Sequence, residues 1–187
     1  MHTMEIGIYN ENQDPNQENQ KYQFSQPENC KERDSNTTLK ENLCRHRLSE
    51  RFFDILKLYV PGASDIVSIE SISLFLDILQ QKVDLLIEEG IIAAVLLQRL
   101  LQKQDQKGVH ILNAKNIGML LIVSFILVMK ISRDTAYKNS YFANLFNISI
   151  VDINISECGY LRLIDHQLWV SDFDFSLLFQ TLSDLEK

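Results

Sequence analysis

Residues 113–132 read NAKNIGMLLIVSFILVMKIS, and this segment decides the fold class of the chain. Its apolar run from Ile117 to Met129 is interrupted only by one glycine and one serine, so a helix over it has no polar face. A helix that is apolar on every side belongs at the centre of a packed bundle or in a membrane. Crossing a bilayer needs about 20 apolar residues. This run, bracketed by Lys115 and Lys130, is shorter. We therefore predict a central bundle helix, and a membrane anchor is the weaker alternative.

Helical periodicity continues on both sides of the central segment. Ser68 is placed to cap the helix that follows it, and acids open the segment at 88–104, as the helix dipole favours. Only six glycines and three prolines interrupt the chain. We predict an all-α domain with five core helices, one helix before them and one after. The further helical segments are 48–60, 68–85, 88–104, 140–146, 150–164 and 172–186.

The first part of the chain has a different composition. Residues 1–46 are dominated by Asn, Gln, Glu, Lys and Ser. Such a segment cannot bury enough apolar surface to offset the entropy of ordering it. We therefore predict a disordered polar tail over residues 1–46 and a folded domain over 47–187, with its core at about 68–168.

Charge and cysteine content narrow the class of protein. The formal net charge is −7, and no dense Lys/Arg stripe occurs, so we expect no nucleic-acid partner. Cys30, Cys44 and Cys158 form no CxxC pair, and the chain does not begin with a secretory signal pattern. An intracellular location, cytoplasmic or nuclear, is expected. Because Cys158 lies beside an apolar stripe, we predict a thiol packed in the core.

Catalytic and metal-binding motifs are missing from the sequence. There is no phosphate-cradling glycine loop, no Gly-x-Ser-x-Gly and no His-Glu-x-x-His, and the four histidines are scattered. We therefore predict that the protein is not an enzyme, holds no cofactor or metal and has no small-molecule substrate.

Two charged residues interrupt apolar surfaces and are candidates for function. Glu157 falls on the helical face that also carries Ile150, Ile153 and Tyr160, where a carboxylate is costly unless it is paired. The alternative is that Glu157 only reaches solvent at the edge of the bundle or accepts a hydrogen bond from the backbone. Lys130 ends the central helix, where its charge could also simply complement the helix dipole. We expect the two side chains to meet at one rim of the bundle and to offer a partner a donor and an acceptor.

The segment from residue 128 to 149, VMKISRDTAYKNSYFANLFNIS, resembles a known family pattern without a gap. The pattern is AAKFxDDxxYNNxYYAKVGGIS of the small single-box cyclins, the plant U/P-type and the yeast phosphate-pathway type. As in that family, eight positions separate Ser149 from Glu157. The resemblance spans residues 68–168, although in its first half it depends mainly on helix lengths and on LLQRLL at 96–101.

The resemblance implies a cyclin fold and a protein partner. In the family, the equivalents of Lys130 and Glu157 are the polar pair that docks the regulatory helix of a cyclin-dependent protein kinase. Asp134 matches an acidic position near the same face. The matches at Tyr137, Asn139, Tyr141 and Ala143 are expected to shape and pack the turn into the fourth core helix.

Three departures from the pattern are visible. Arg133 replaces an acid and is expected to reverse a charge near the interface. Phe146-Asn147 replaces a Gly-Gly pair, and Asn is the residue that best tolerates the left-handed backbone that glycine would supply. The segment 68–80 also lacks the substrate-docking patch of cell-cycle cyclins.

The leading hypothesis is a regulatory cyclin that binds and activates a cyclin-dependent kinase. The alternative is a cyclin-fold adaptor that binds transcription or scaffold proteins without a kinase, because a fold does not settle a function.

Overall fold

The computed structural model describes residues 35–108, 113 and 115–183, and the side chains of 40–108, 113 and 115–182. These ranges form seven α-helices and one short 3-10 helix, with no strand among them, which confirms the predicted all-α class. The α-helices are α1 (Ser35–Tyr59), α2 (Ile69–Val83), α3 (Ile87–Gln106), α4 (Ile117–Ser132), α5 (Asn139–Phe146), α6 (Ile150–Leu163) and α7 (Asp172–Ser183).

Helix α4 is the central helix of the bundle. Every residue from Val123 to Met129 is buried, and the helix packs against α3, α5 and α6. This burial follows from an apolar surface on all sides and confirms the prediction from the sequence. Among the described residues, no helix combines the length and the apolar character that a membrane span requires.

Helix α1 precedes the five core helices and packs against the bundle that they form. Leu48, Phe52 and Leu56 are buried, and the ring of Phe52 lies 5.5 Å from that of Phe125 in α4. The helix begins at Ser35, so the predicted boundary between residues 46 and 47 falls inside it. The polar residues before Leu48 can continue the helix because one stripe packs while the rest is solvated. Residues 1–34 lie outside the described ranges, and a disordered tail there stays a prediction.

Local capping explains where the helices begin and end. Ser68 and Ser71 form a reciprocal capping box at the start of α2, as Ser68 was predicted to do. Asn147 ends α5 in the left-handed conformation, with φ 51° and ψ 49°, in agreement with the expectation for the position where the family has glycine. This turn sends the chain back into α6.

A buried polar contact sets the register of α6 on α4. The hydroxyl groups of Ser124 and Tyr160 are 3.1 Å apart, and both residues are fully or almost fully buried. Burial raises the pKa of Tyr160, so this phenol stays protonated and keeps its hydrogen bond. Glu157 precedes Tyr160 by three residues and therefore lies on the same side of α6.

Candidate partner-binding site

The side chains of Lys130 and Glu157 meet between α4 and α6. Nζ of Lys130 donates to Oε1 of Glu157 over 2.5 Å, and the two residues are 27 positions apart in the sequence. The contact that the sequence predicts is therefore present. A Glu157 side chain that was only solvated, or that was bonded only to the backbone, would not form this contact.

Asn139 completes the arrangement from the first residue of α5. Its Nδ2 donates to Oε2 of Glu157 over 2.6 Å and to Oδ1 of Asn154 over 2.8 Å. Each oxygen of the Glu157 carboxylate therefore has its own donor inside the protein. We call Lys130, Asn139 and Glu157 the polar triad.

The members of the polar triad differ in exposure. The side chain of Lys130 is 34% exposed and that of Glu157 only 14%. An ammonium group has three donors, and Glu157 accepts one of them. Lys130 can therefore still donate to a partner, while Glu157 holds the ammonium in place. This differs from the expectation that the carboxylate itself is offered as a free acceptor.

An acceptor does remain in the triad. Oδ1 of Asn139 is buried, and no hydrogen-bond donor reaches it within the part of the chain that the structure describes. A buried amide oxygen without a donor is unfavourable. The triad thus combines a partly exposed cation with a buried carbonyl oxygen that has no donor among the described residues.

Apolar side chains accompany the triad on the same helices. Ile131, directly after Lys130, is 47% exposed, and Val151 and Ile155 on α6 are 58% and 65% exposed. Ile150 is also exposed, so its prediction as a member of the buried face is wrong: α6 buries Ile153, Tyr160 and Ile164, and its first turn extends past the bundle. Val151 and Ile155 precede Glu157 by six and two residues and are therefore about 120° and 160° away from it around α6. Ile131 is thus the exposed apolar side chain next to the triad.

Arg133 does not present a reversed charge to a partner. Its guanidinium forms a two-point ion pair with Glu89 of α3, with distances of 2.5 and 2.6 Å, and donates to the carbonyls of Val83 and Asp84. The contact with Glu89 raises the pKa of Arg133. The expected charge reversal is therefore wrong, because the positive charge is neutralised by an acid within the same domain.

Asp134 is exposed next to this ion pair. It lines a shallow depression with Arg133 and Tyr137, and the described part of the chain shows no hydrogen bond or ion pair that joins it to the polar triad. Its assignment to a partner-binding surface remains a prediction.

The aromatic residues around α5 have packing contacts, as the sequence suggested. The rings of Tyr137 and Tyr141 stack with centroids 4.6 Å apart, and the Tyr141 hydroxyl donates to the carbonyl of Lys82 over 2.9 Å. Ala143 is buried. Asn139 is the exception in this group, because its side chain belongs to the triad and does more than shape the turn.

Cys158 follows Glu157 and is exposed, so the prediction of a packed thiol is wrong. One residue along a helix rotates the side chain by about 100°. The inward direction of Glu157 therefore turns Cys158 outward.

The sequence contains a signal for the residues that were missed. Asn154 and Glu157 are three positions apart on α6 and share a face, so a donor that reaches one also reaches the other. The Asn-rich link before α5 supplies that donor in Asn139. Glu89 could be suspected from its place in the first turn of α3, but its partner Arg133 is 44 positions away.

Comparison with protein-family models matches residues 90–168 to the family described as Cyclin. The matched region begins in the first turn of α3 and includes the whole polar triad. A search of curated proteins finds no match to the chain.

Proposed function

Because residues 90–168 match the family described as Cyclin, we propose that the chain is a regulatory subunit that binds and activates a cyclin-dependent protein kinase through the polar triad. The single observation that carries the proposal is the contact between Lys130, at the end of α4, and Glu157, in the middle of α6, which is 2.5 Å long. Membership of the single-box U/P-type or phosphate-pathway group belongs to the same proposal.

The geometry supports a docking role because the triad is held before any partner arrives. Glu157 is fixed by Lys130 and Asn139, and α6 is fixed by Tyr160 on Ser124. An anchor whose rotamer is already set loses little entropy on binding. Ile131, which is exposed directly beside Lys130, supplies apolar area next to it.

Activation follows from selection of one state of the kinase. A partner that contacts the active position of the kinase regulatory helix, and contacts the inactive position less well, shifts the population toward the active state. In that state the kinase aligns its own lysine–glutamate pair and its metal-binding loop. In this mechanism the cyclin supplies contacts and no catalytic group.

The proposal is tested by purifying the tagged full chain from its native cells and identifying the proteins that accompany it. We expect a cyclin-dependent kinase, and we expect its activity on a generic protein substrate to rise when the purified chain is added. Lys130→Ala is expected to weaken binding about 30-fold, since an anchor residue contributes about 2 kcal/mol or more.

Lys57→Ala is the matched control. Lys57 lies in the last turn of α1, as Lys130 lies in the last turn of α4, so both variants remove the same charge from the same kind of position. The control is expected to keep full binding. Equal binding by Lys130→Ala and the unchanged chain, with both folded, would refute the triad as the docking site.

The adaptor hypothesis predicts a different result in the same experiment. Transcription or scaffold proteins would accompany the chain, and no kinase would be enriched. That outcome would replace the proposed function while leaving the cyclin fold unaffected.

A further inference from the structure

A groove of about 580 Å³ with mixed polar and apolar walls lies between α1, α3 and α7. It shares no residue with the polar triad, so a ligand in it would leave the proposed kinase-docking surface free. A volume of this size is in the range that holds several side chains of a bound peptide.

Two arginines of α1 bring hydrogen-bond donors without acceptors to the groove. Arg47 and Arg51 are one helical turn apart and both line it. Nη1 of Arg47 and Nε of Arg51 are buried and find no acceptor in the part of the chain that the structure describes. Arg51 does donate from Nη2 to Gln98 over 2.9 Å, whereas Arg47 has no hydrogen bond or ion pair among the described residues. A guanidinium has donors only, and leaving them unpaired inside a protein is costly.

A third arginine that lines the groove does have hydrogen-bond acceptors for its guanidinium. Nη1 of Arg99 donates to the carbonyls of Gln167 and Trp169, over 2.6 and 2.9 Å. These contacts tie the link before α7 to α3. The hydrogen bonds of Arg99 therefore stabilise the fold. Arg47 and Arg51 are the pair whose guanidinium groups keep donors without an acceptor among the described residues.

The acids of the groove do not satisfy the arginines. Glu50, Asp54 and Asp174 line it, but none of them lies within ion-pair distance of Arg47 or Arg51 among the residues described, and Asp174 instead bonds to Ser171. They do lower the positive potential of the groove, which disfavours a doubly charged phosphate relative to a singly charged carboxylate. The fork of a guanidinium also matches a carboxylate in shape.

The third wall of the groove is apolar. Leu177, Leu178 and Leu182 of α7 line it, and Leu177 is 55% exposed. Leu178 and Leu182 are already buried by the fold, so a small free anion would leave Leu177 in water. A peptide that carries an apolar side chain beside its acid would cover it.

From these contacts we infer that the groove binds a linear protein segment, with an Asp or Glu side chain on Arg47 and Arg51 and an apolar side chain on Leu177 of α7. The groove is a docking site for a protein other than the kinase. It does not depend on the proposed function, because any partner with this chemistry fits it.

The experiment selects displayed random linear peptides on the full-length chain, in parallel with the Arg47→Gln variant. Arg47 has no described partner to lose, so this variant keeps the fold. Peptides with an acid close to an apolar residue are expected to be enriched on the unchanged chain and lost on the variant. Arg162→Gln, the same charge change at an exposed position in the last turn of α6, is expected to keep them.

The best peptide is then synthesised with Glu, Gln or phosphoserine at the acidic position, and its affinity is measured by fluorescence polarisation. We expect replacement of Glu by Gln, or of Arg47 by Gln, to weaken binding at least 10-fold. The inference is overturned if no enriched peptide depends on Arg47 or if the Gln peptide binds as well. Tighter binding of the phosphoserine peptide would replace carboxylate recognition by phosphate recognition.

Discussion

Arg133 and Glu89 form the best-connected ion pair among the described residues, and they join the end of α4 to the first turn of α3. Nε and Nη2 of Arg133 donate to the two carboxylate oxygens over 2.5 and 2.6 Å, and the Glu89 side chain is 2% exposed. Oε2 of Glu89 also accepts from the backbone N–H of Leu86 over 3.0 Å, which caps α3. One buried carboxylate therefore joins the end of α4 to the start of α3 and also caps α3.

Glu89→Ala is predicted to destabilise the domain strongly. The change leaves the guanidinium of Arg133 largely buried and unpaired and removes the cap of α3, and breaking a buried pair costs about 3–5 kcal/mol. Urea unfolding followed by circular dichroism measures the loss. Lys130→Ala, which breaks a more exposed pair, should cost about 1 kcal/mol or less. A loss below about 1 kcal/mol for Glu89→Ala would contradict the prediction.

The incorrect prediction of a charge reversal at Arg133 shows which information a sequence pattern lacks. Position in a family pattern indicates where a residue lies along the chain, but it does not identify the residue that faces it. Most of α3, a loop and all of α4 separate Glu89 from Arg133, and their contact depends on how α3 and α4 pack. Helix positions could be predicted because the apolar period is local, whereas this ion pair is a product of tertiary packing.

Asn139→Ala is predicted to weaken partner binding without unfolding the domain. The variant removes the donor that holds Oε2 of Glu157, so the carboxylate and the ammonium of Lys130 become free to take other rotamers. We expect an approximately 10-fold weaker affinity for the co-purified kinase, measured by surface plasmon resonance, and a melting temperature within about 4 °C.

Asn144→Ala is the control for Asn139, because it is an exposed asparagine of the same helix. It should keep full affinity. If Asn139→Ala binds as tightly as this control, the amide is a packing feature and the functional site reduces to Lys130 and Glu157.

The candidate site was predictable only in part for a similar reason. Glu157 interrupts an apolar face that the helical period defines, Lys130 ends an apolar helix, and the family resemblance implies their joint role. Asn139 reaches Glu157 only because the chain reverses at Asn147, with φ 51°, between α5 and α6. The geometry of a turn, and with it the contact across the turn, does not follow from periodicity.

Asn147→Ala is predicted to destabilise the domain by about 1 kcal/mol, because alanine pays a penalty of that size in the left-handed region. Asn147→Gly is expected to be neutral within a few tenths of a kcal/mol, since glycine takes this conformation freely. Thermal melts of both variants make the comparison. Equal stability of the alanine and glycine variants would show that the turn does not require φ near 51°.

Gly90→Ala and Gly159→Ala are predicted to change stability in opposite directions, although both glycines lie within helices. A Cβ at Gly90 would lie 2.3 Å from Cδ2 of the buried Leu48, so the core must repack at about 1–3 kcal/mol. A Cβ at Gly159 meets no atom within 4 Å among the described residues, and alanine should gain up to about 1 kcal/mol of helix propensity. A stabilised Gly90→Ala variant, measured by urea unfolding, would show that α1 and α3 are not in tight contact there.

Asp165 is predicted to titrate below the usual range of an aspartate. Lys107 and Lys103 of α3 donate to its carboxylate over 2.7 and 3.2 Å, and they hold its pKa low. Because the pKa is depressed in the folded state, the pair contributes stability above the unfolded pKa, and this contribution is lost as the pH falls through the folded pKa. Carboxyl ¹³C NMR measures the midpoint, and Lys107→Ala should raise it, while Lys57→Ala on α1 should not. An unchanged midpoint in Lys107→Ala would mean that the contact between the end of α6 and α3 is not populated in solution.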